Sequence, residues 1–344
     1  MDPARPVRAP HLTIQPRGKP MKPALSVILL TTLIGAGQGL FLAYYSAEWF
    51  VMLSILNPAQ TDYSGFAAGL SFLLLAAGLL ASFFHLGHPE RAWRAAAMWR
   101  SSWLSREVIA LPLTMLLMLG YALLQLGSYD PLVFVLGESI PITASTLVGF
   151  CAVLALCALY VCTAMIYACL KFLRQWHSPL TVLNFILMGG ASGFTLATAI
   201  SAYTRDGRFA YFVGMAIFLT LAALVSRFAS LSRNKKLRSP SSLQSAIGVH
   251  HPTIRQLAQG AMGGSFNTRA FIHSYGASVV RLARRSFLLL AFIAPVALLQ
   301  VGSETSAFLC ASAFVLQYLG LLVERWYFFI EAEHPQNIYY QMIS

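Results

Sequence analysis

Residues 64–87 read SGFAAGLSFLLLAAGLLASFFHLG, an apolar run whose one ionisable group is His85. A helix crossing the hydrocarbon core of a bilayer needs about 20 such positions, and this run supplies them. Further runs of the same kind occupy roughly 23–54, 106–127, 143–171, 179–203, 208–231, 285–303 and 305–332. At 57% hydrophobic and 10% charged residues, the 344-residue chain is too apolar for a soluble domain. In lipid the backbone must satisfy its hydrogen bonds internally, and these runs exceed the length of barrel strands. The expected fold is all-α: a polytopic membrane protein with eight transmembrane helices.

Charge sets an orientation. Call the face on which the first helix begins side A, and let the chain alternate across the membrane. Side A then carries 21 of the 24 Lys and Arg residues, side B has Arg205 and Arg208, and Arg325 lies inside the last helix. Leaving out Arg233 through Arg284, in the long loop, still leaves 13 against 2. Cytoplasmic loops carry the Lys/Arg excess, so side A, both termini and the polar cluster are expected in the cytoplasm. The net charge of +12 is then a collar for anionic lipid or an acidic partner, not a nucleic-acid footprint. The expected divisions are a flexible basic tail (1–22), helices one to six (23–231), a basic cytoplasmic loop (232–284), helices seven and eight (285–332) and a C-terminal tail (333–344). Either Met1 or Met21 could start the chain. A short interfacial helix is expected near 252–261.

The chemistry gathers where the second and third runs meet side A, in HLGHPERAWRAAAMWRSSWLSRE, residues 85–107. Gly87 and Pro89 are ordinary helix-stop residues. His85 is not explained that way: it follows Phe83-Phe84 at the inner edge of the hydrocarbon, where an imidazole can exchange a proton near neutral pH. His88, further out, faces headgroups. Ser105 suits the N-cap of the third helix with Glu107 in its first turn. Glu107 also shares the membrane edge of His85, and ionisable groups at such depth are functional hypotheses by default. Arg106 pairs with Glu107 or faces headgroups. Trp93, Trp99, Trp103 and Trp176 fit an interfacial aromatic belt, and Trp103 would also suit a pocket for a flat ring.

Elsewhere the signals are softer. Tyr160, Tyr167 and Lys171 recur at helical spacing on one face, and Tyr167 is the functional candidate among them. Asn184 and His177 lie near the same edge. Gly35-x-x-x-Gly39 and Gly189-x-x-x-Gly193 fit close helix packing and hint at two four-helix halves. Glu324-Arg325 puts two opposite charges in an apolar run, where neighbours on a helix do not face each other. Cys151, Cys157, Cys162, Cys169 and Cys310 lack metal-site spacing and read as small buried apolar residues, so no metal is expected.

HLGHPERAWRA…WLSREV and the ending ERWYFFIEAEHPQNIYY resemble the DmsC-type membrane anchors of dimethyl sulfoxide reductase and related molybdopterin oxidoreductases. The resemblance spans roughly residues 23–332. It implies a membrane subunit with a quinone site (ubiquinone or menaquinone), partnered by an iron–sulfur subunit and a molybdopterin catalytic subunit. The family's quinol-site histidine and acid fall on His85 and Glu107, and its last-helix arginine matches Arg325, although the neighbouring acid (Glu324) stands at a different position here. Among such proteins, a cytoplasmic site best resembles the anchors of cytoplasmic sulfite:quinone oxidoreductases, which implies sulfite oxidation coupled to quinone reduction. Arg106, Trp103 and Tyr167 would complete the quinone surroundings.

On this reading electrons arrive from a partner cluster at side A, quinone sits between helices two, three and four, and His85 and Glu107 manage its protons. Three alternatives remain. One is the anchor of a reductase that oxidises quinol. A haem-bearing cytochrome b would need two facing intramembrane histidines, and only His85 approaches that depth, so no haem is expected. A secondary transporter would gather its ionisable groups near the midplane rather than at one edge.

Overall fold

The computed structural model describes residues 25–59, 61–84, 86–127, 129–137, 140–237, 242–251, 253–254, 275–302 and 306–335. Among these, eight helices are long and apolar enough to cross a membrane. They are α1 (Leu25–Met52), α2 (Ser64–Phe83), α3 (Trp103–Leu126), α4 (Ala144–Ala168), α5 (Pro179–Thr204), α6 (Phe209–Lys236), α7 (Ala277–Val301) and α8 (Ala307–Ile330). The all-α reading holds, with one addition. On side B, Leu132–Leu136 (β1) pairs antiparallel with Ile140–Thr143 (β2) between α3 and α4. LVFVL is too short to span a membrane, and its β-branched residues favour a strand.

Helix ends depart from the apolar runs where charge, not backbone geometry, ended the run. α6 continues to Lys236 and α7 begins at Ala277, so helix enters both ends of the segment expected as loop. Arg281, Arg284 and Arg285 ride on the first turns of α7, as long cationic side chains near membrane edges commonly do. Within α7 a π-helical turn at Leu289–Ile293 directly precedes Pro295, whose missing N–H cannot close a regular turn. The helix expected near 252–261 lies outside the described residues, except for the irregular pair 253–254.

α1 and α5 form the centre. Their glycine motifs meet each other: a Cβ on Gly193 would overlap the backbone of Gly39 and Leu40, and one on Gly35 would stand 3.3 Å from the Cα of Gly189. Close approach of this kind is what small residues provide between helices in lipid. Tyr160 of α4 lies against Gly189 and donates its hydroxyl to the carbonyl of Gly35 at 3.1 Å. Around this crossing, Phe41, Leu75, Met118, Tyr121 and Leu156 pack α1–α4 together. Met188, Ala223, Phe287, Phe292 and Leu321 do the same for α5–α8.

Buried charge is paired. Arg227 of α6 lies 2.8 Å from Glu324 and 3.2 Å from Glu331 on α8. At side B, Arg208 lies 2.8 Å from Asp206 and 3.2 Å from Asp62. Glu48 of α1 accepts hydrogen bonds from the Tyr121 hydroxyl and from Gln125 Nε2. Three cysteines depart from expectation: Cys151, Cys157 and Cys169 are on the outside of the bundle, and only Cys162 and Cys310 are buried. An apolar run cannot separate a lipid-facing position from a core one.

Two predictions follow from this packing. Gly193→Leu separates α1 from α5 and lowers the melting temperature of the purified protein, with overpacking costs of about 1–3 kcal/mol; Gly214→Leu, at a site open on all sides, leaves it unchanged. Glu324→Gln strips Arg227 of its closest carboxylate and destabilises by about 3–5 kcal/mol, whereas replacing both by apolar residues recovers much of the loss. Thermal unfolding in detergent measures both.

Candidate functional site

α3 begins earlier than its apolar pattern suggests. Ser102, not Ser105, caps it: the Ser102 hydroxyl accepts from the backbone N–H of Ser105 at 3.4 Å. Glu107 therefore sits in the second turn rather than the first, facing inward beside buried Ser105 and Leu111. It is 7% exposed, and the hydroxyl of Thr163 on α4 donates to its Oε1 at 2.6 Å. Arg106 does not pair with it. Its Nε and Nη2 donate to the carbonyls of Trp99 and Arg100 at 2.9 and 2.8 Å, and its guanidinium lies 4.2 Å from the Trp103 ring centre. Trp103 and Arg106 thus tie the 3₁₀ segment Pro89–Met98 to the start of α3.

His85 lies outside the described residues. α2 ends at Phe83, with Phe84 as its C-cap, and in the segment that leads to α3 the exposed His88 and Glu90 contact each other at 3.1 Å.

A second group gathers across the bundle. Arg325 of α8 is buried, with its guanidinium 3.8 Å from the ring centre of Phe185 on α5, its Nε 3.5 Å from Glu324 and its Nη2 3.4 Å from the Met188 sulfur. Tyr167 stacks on the other side of the same aromatic group, 5.7 Å from Phe185 and 5.4–5.6 Å from Phe329, Trp176 and Phe328. The stripe expected to continue to Lys171 stops there, because α4 ends at Ala168 and Lys171 is exposed. His177 is also exposed and bonds the carbonyl of Ala168.

Depth unites these residues. Glu107, Thr163, Asn184 and Arg325 each stand four or five residues from the side A end of their helix, about 6–8 Å in. Thr163 and Arg325 both border an internal cavity of about 20 Å³, shared with Gln38, Tyr160 and Ser192. That is room for about one water, not for a ring. A much larger space, about 840 Å³, is a groove at the other end of the bundle, walled by Phe66, Leu70, Leu126, Ile200 and Phe308. Its size and apolar walls suit an acyl or prenyl chain, and Glu107 is not among the residues that line it.

Sequence reading missed Thr163, Phe185, Arg227 and Glu48. A lone Glu48 and Arg227 inside apolar runs carried the usual signal of intramembrane charge. Thr163 and Phe185 carried none, since either residue is ordinary in a spanning helix.

Comparison with known proteins agrees with this architecture. A sulfite dehydrogenase subunit of Allochromatium vinosum is 49% identical over 330 residues, which cover 94% of this chain and all of that protein. The family described as DMSO reductase anchor subunit (DmsC) matches residues 21–329. An eight-helix bundle matched over nearly its whole length in this way belongs to the DMSO reductase anchor subunit family.

Proposed function

We propose that this chain anchors a sulfite-oxidising molybdenum enzyme to the bacterial inner membrane and passes its electrons to quinone at the side A edge. The reading is supported above all by Glu107, an acid held by Thr163 inside the side A edge of the bundle. The sulfite dehydrogenase subunit it resembles so closely supports the choice of reaction. The catalytic partner holds molybdopterin, and an iron–sulfur partner docks on side A, where the basic collar favours an acidic surface. The Lys/Arg excess makes side A cytoplasmic.

The donor set fits a quinone. Bound at this edge, quinone is the acceptor of two electrons and two protons. Because the interior cavity beside Thr163 admits only about a single water, the ring enters from the lipid at the α2–α3 edge, between position 85 and Glu107. His85 hydrogen-bonds a carbonyl oxygen and releases a proton to it. Glu107, oriented by the Thr163 hydroxyl, returns a proton to the imidazole, a division of labour between relay and reservoir that suits general acid–base catalysis. Trp103, pinned by Arg106, forms an aromatic wall at headgroup depth, and Tyr167 with Arg325 closes the inner side. Arg325 is held by Glu324 and Phe185, so it supplies fixed positive charge near the site rather than a mobile proton.

His85→Ala and Glu107→Gln should each reduce sulfite-driven quinone reduction by about 10²–10⁴-fold, while sulfite oxidation with an artificial dye and assembly of the complex persist. Unchanged quinone turnover in both variants would refute the site. A reporter fused after Ser344 should be active only in the cytoplasm; activity on the outer face would reverse the orientation and, with it, the docking side.

A further inference from the structure

Beyond the cavity at Thr163 lies a second polar space at the same depth. It measures about 10 Å³ and sits at the side A ends of α5, α6 and α8, bordered by Thr181, Asn184, Arg227, Ser230 and Glu324. Half-buried Gln175 and Asn234 form its outer rim, towards side A solvent. Arg325 and Phe185 border both spaces and divide them. Two buried acceptors at the outer space are poorly satisfied: Oδ1 of Asn184 has no hydrogen-bond partner among the described residues, and Oε2 of Glu324 has only the ion-pair contact with Arg325 Nε at 3.5 Å. The amide nitrogen of Asn184 is already committed to Ser230 at 2.9 Å. Buried polar atoms are almost always satisfied, by ordered water where no protein group reaches them, so the Asn184 oxygen calls for a donor inside this space, and the same water can complete the shell of Glu324.

We infer that the two spaces form one hydrated proton route from side A solvent to Glu107, running behind the quinone site rather than through it. The inference rests on the quinone reading above. A proton enters past Gln175 and Asn234, passes along water at Asn184 and Glu324, skirts Arg325, and reaches the inner cavity. There the Thr163 hydroxyl accepts it from water and hands its own proton to Glu107. Each turnover draws two protons this way, one for each electron delivered, and leaves every residue of the route as it began.

Arg325 stays charged throughout, and its guanidinium fixes the water on either side of it. Around the route, Arg227 and Arg325 face Glu324, Arg227 also faces Glu331, and Tyr327 lies near Arg227, Glu331 and Arg284. Among the described residues, Cys162, Tyr167 and Arg106 are ionisable groups near Glu107. α1 and α5 contribute uncharged Thr31, Gln38, Asn184 and Ser192. The arrangement separates proton supply from the lipid-side entry of the ring, so the site can be refilled while it is occupied.

The test uses the assembled complex in native membranes, with sulfite as donor and a short-chain quinone as acceptor. Asn184→Leu, which fills the outer space with an apolar side chain, should lower kcat by about ten-fold without changing KM for quinone or the dye-linked rate. Adding a small membrane-permeant weak acid should restore kcat, a rescue that damaged packing would not show. Thr163→Val, which keeps the shape but removes the linking hydroxyl, should behave alike and provides the answer if the first variant fails to assemble. Unchanged kcat, or a loss that no weak acid rescues, overturns the route. Full activity in His85→Ala and Glu107→Gln instead overturns the site it serves.

Discussion

The bundle depends on the contact between two backbones. Lipid tails are as apolar as leucine, so spanning helices gain little by burying side chains against one another and must find other reasons to associate. Here α1 and α5 approach so closely at Gly39 and Gly193 that no side chain fits between them. That approach makes them the two most enclosed helices and sets every other helix around them. It also brings Gln38, Tyr160, Ser192 and Arg325 around one small cavity, which a wider crossing would open or scatter.

The second constraint is the cost of charge away from water. Each buried ionic group among the described residues has a polar partner, and the pairs cluster near the two membrane edges rather than at the midplane. Arg208 with Asp206 and Asp62, and Glu48 with Tyr121, occupy side B. Arg227 with Glu324 and Glu331 occupies side A, and there the partner of Glu107 among the described residues is the Thr163 hydroxyl. A carboxyl with a hydroxyl partner and no counter-ion in contact is suited to exchange protons, whereas one locked to a guanidinium is suited to hold helices together. The distinction separates Glu107 from Glu324, although a sequence shows both as acids in apolar runs.

The family brings a division of labour with it. On our proposal the polypeptide that oxidises substrate is separate, and this chain provides a surface for docking, an edge accessible from lipid and a supply of protons. All three are placed at side A in our proposal, and the polar stratum about 6–8 Å below that face is where they meet.

Hydropathy by itself determined the class, the number of spans and, through the distribution of Lys and Arg, the expected orientation, because lipid imposes one simple rule on every residue of a spanning segment. The block from His85 to Glu107 stood out in the sequence because its ionisable residues gather at one membrane edge, and its chemical role belongs to our proposal. Helix ends were less legible: Ser102 rather than Ser105 caps α3, since capping depends on backbone geometry and not on where the apolar run begins. Nor did the runs show which cysteines face lipid. What only the tertiary structure decided is partnership. That the two glycine motifs meet each other, that Thr163 reaches Glu107, and that Arg325 rests on Phe185 between two polar spaces depend on helix rotation and crossing. Those are set by packing among residues far apart in the chain, on which the order of residues within any one helix is silent.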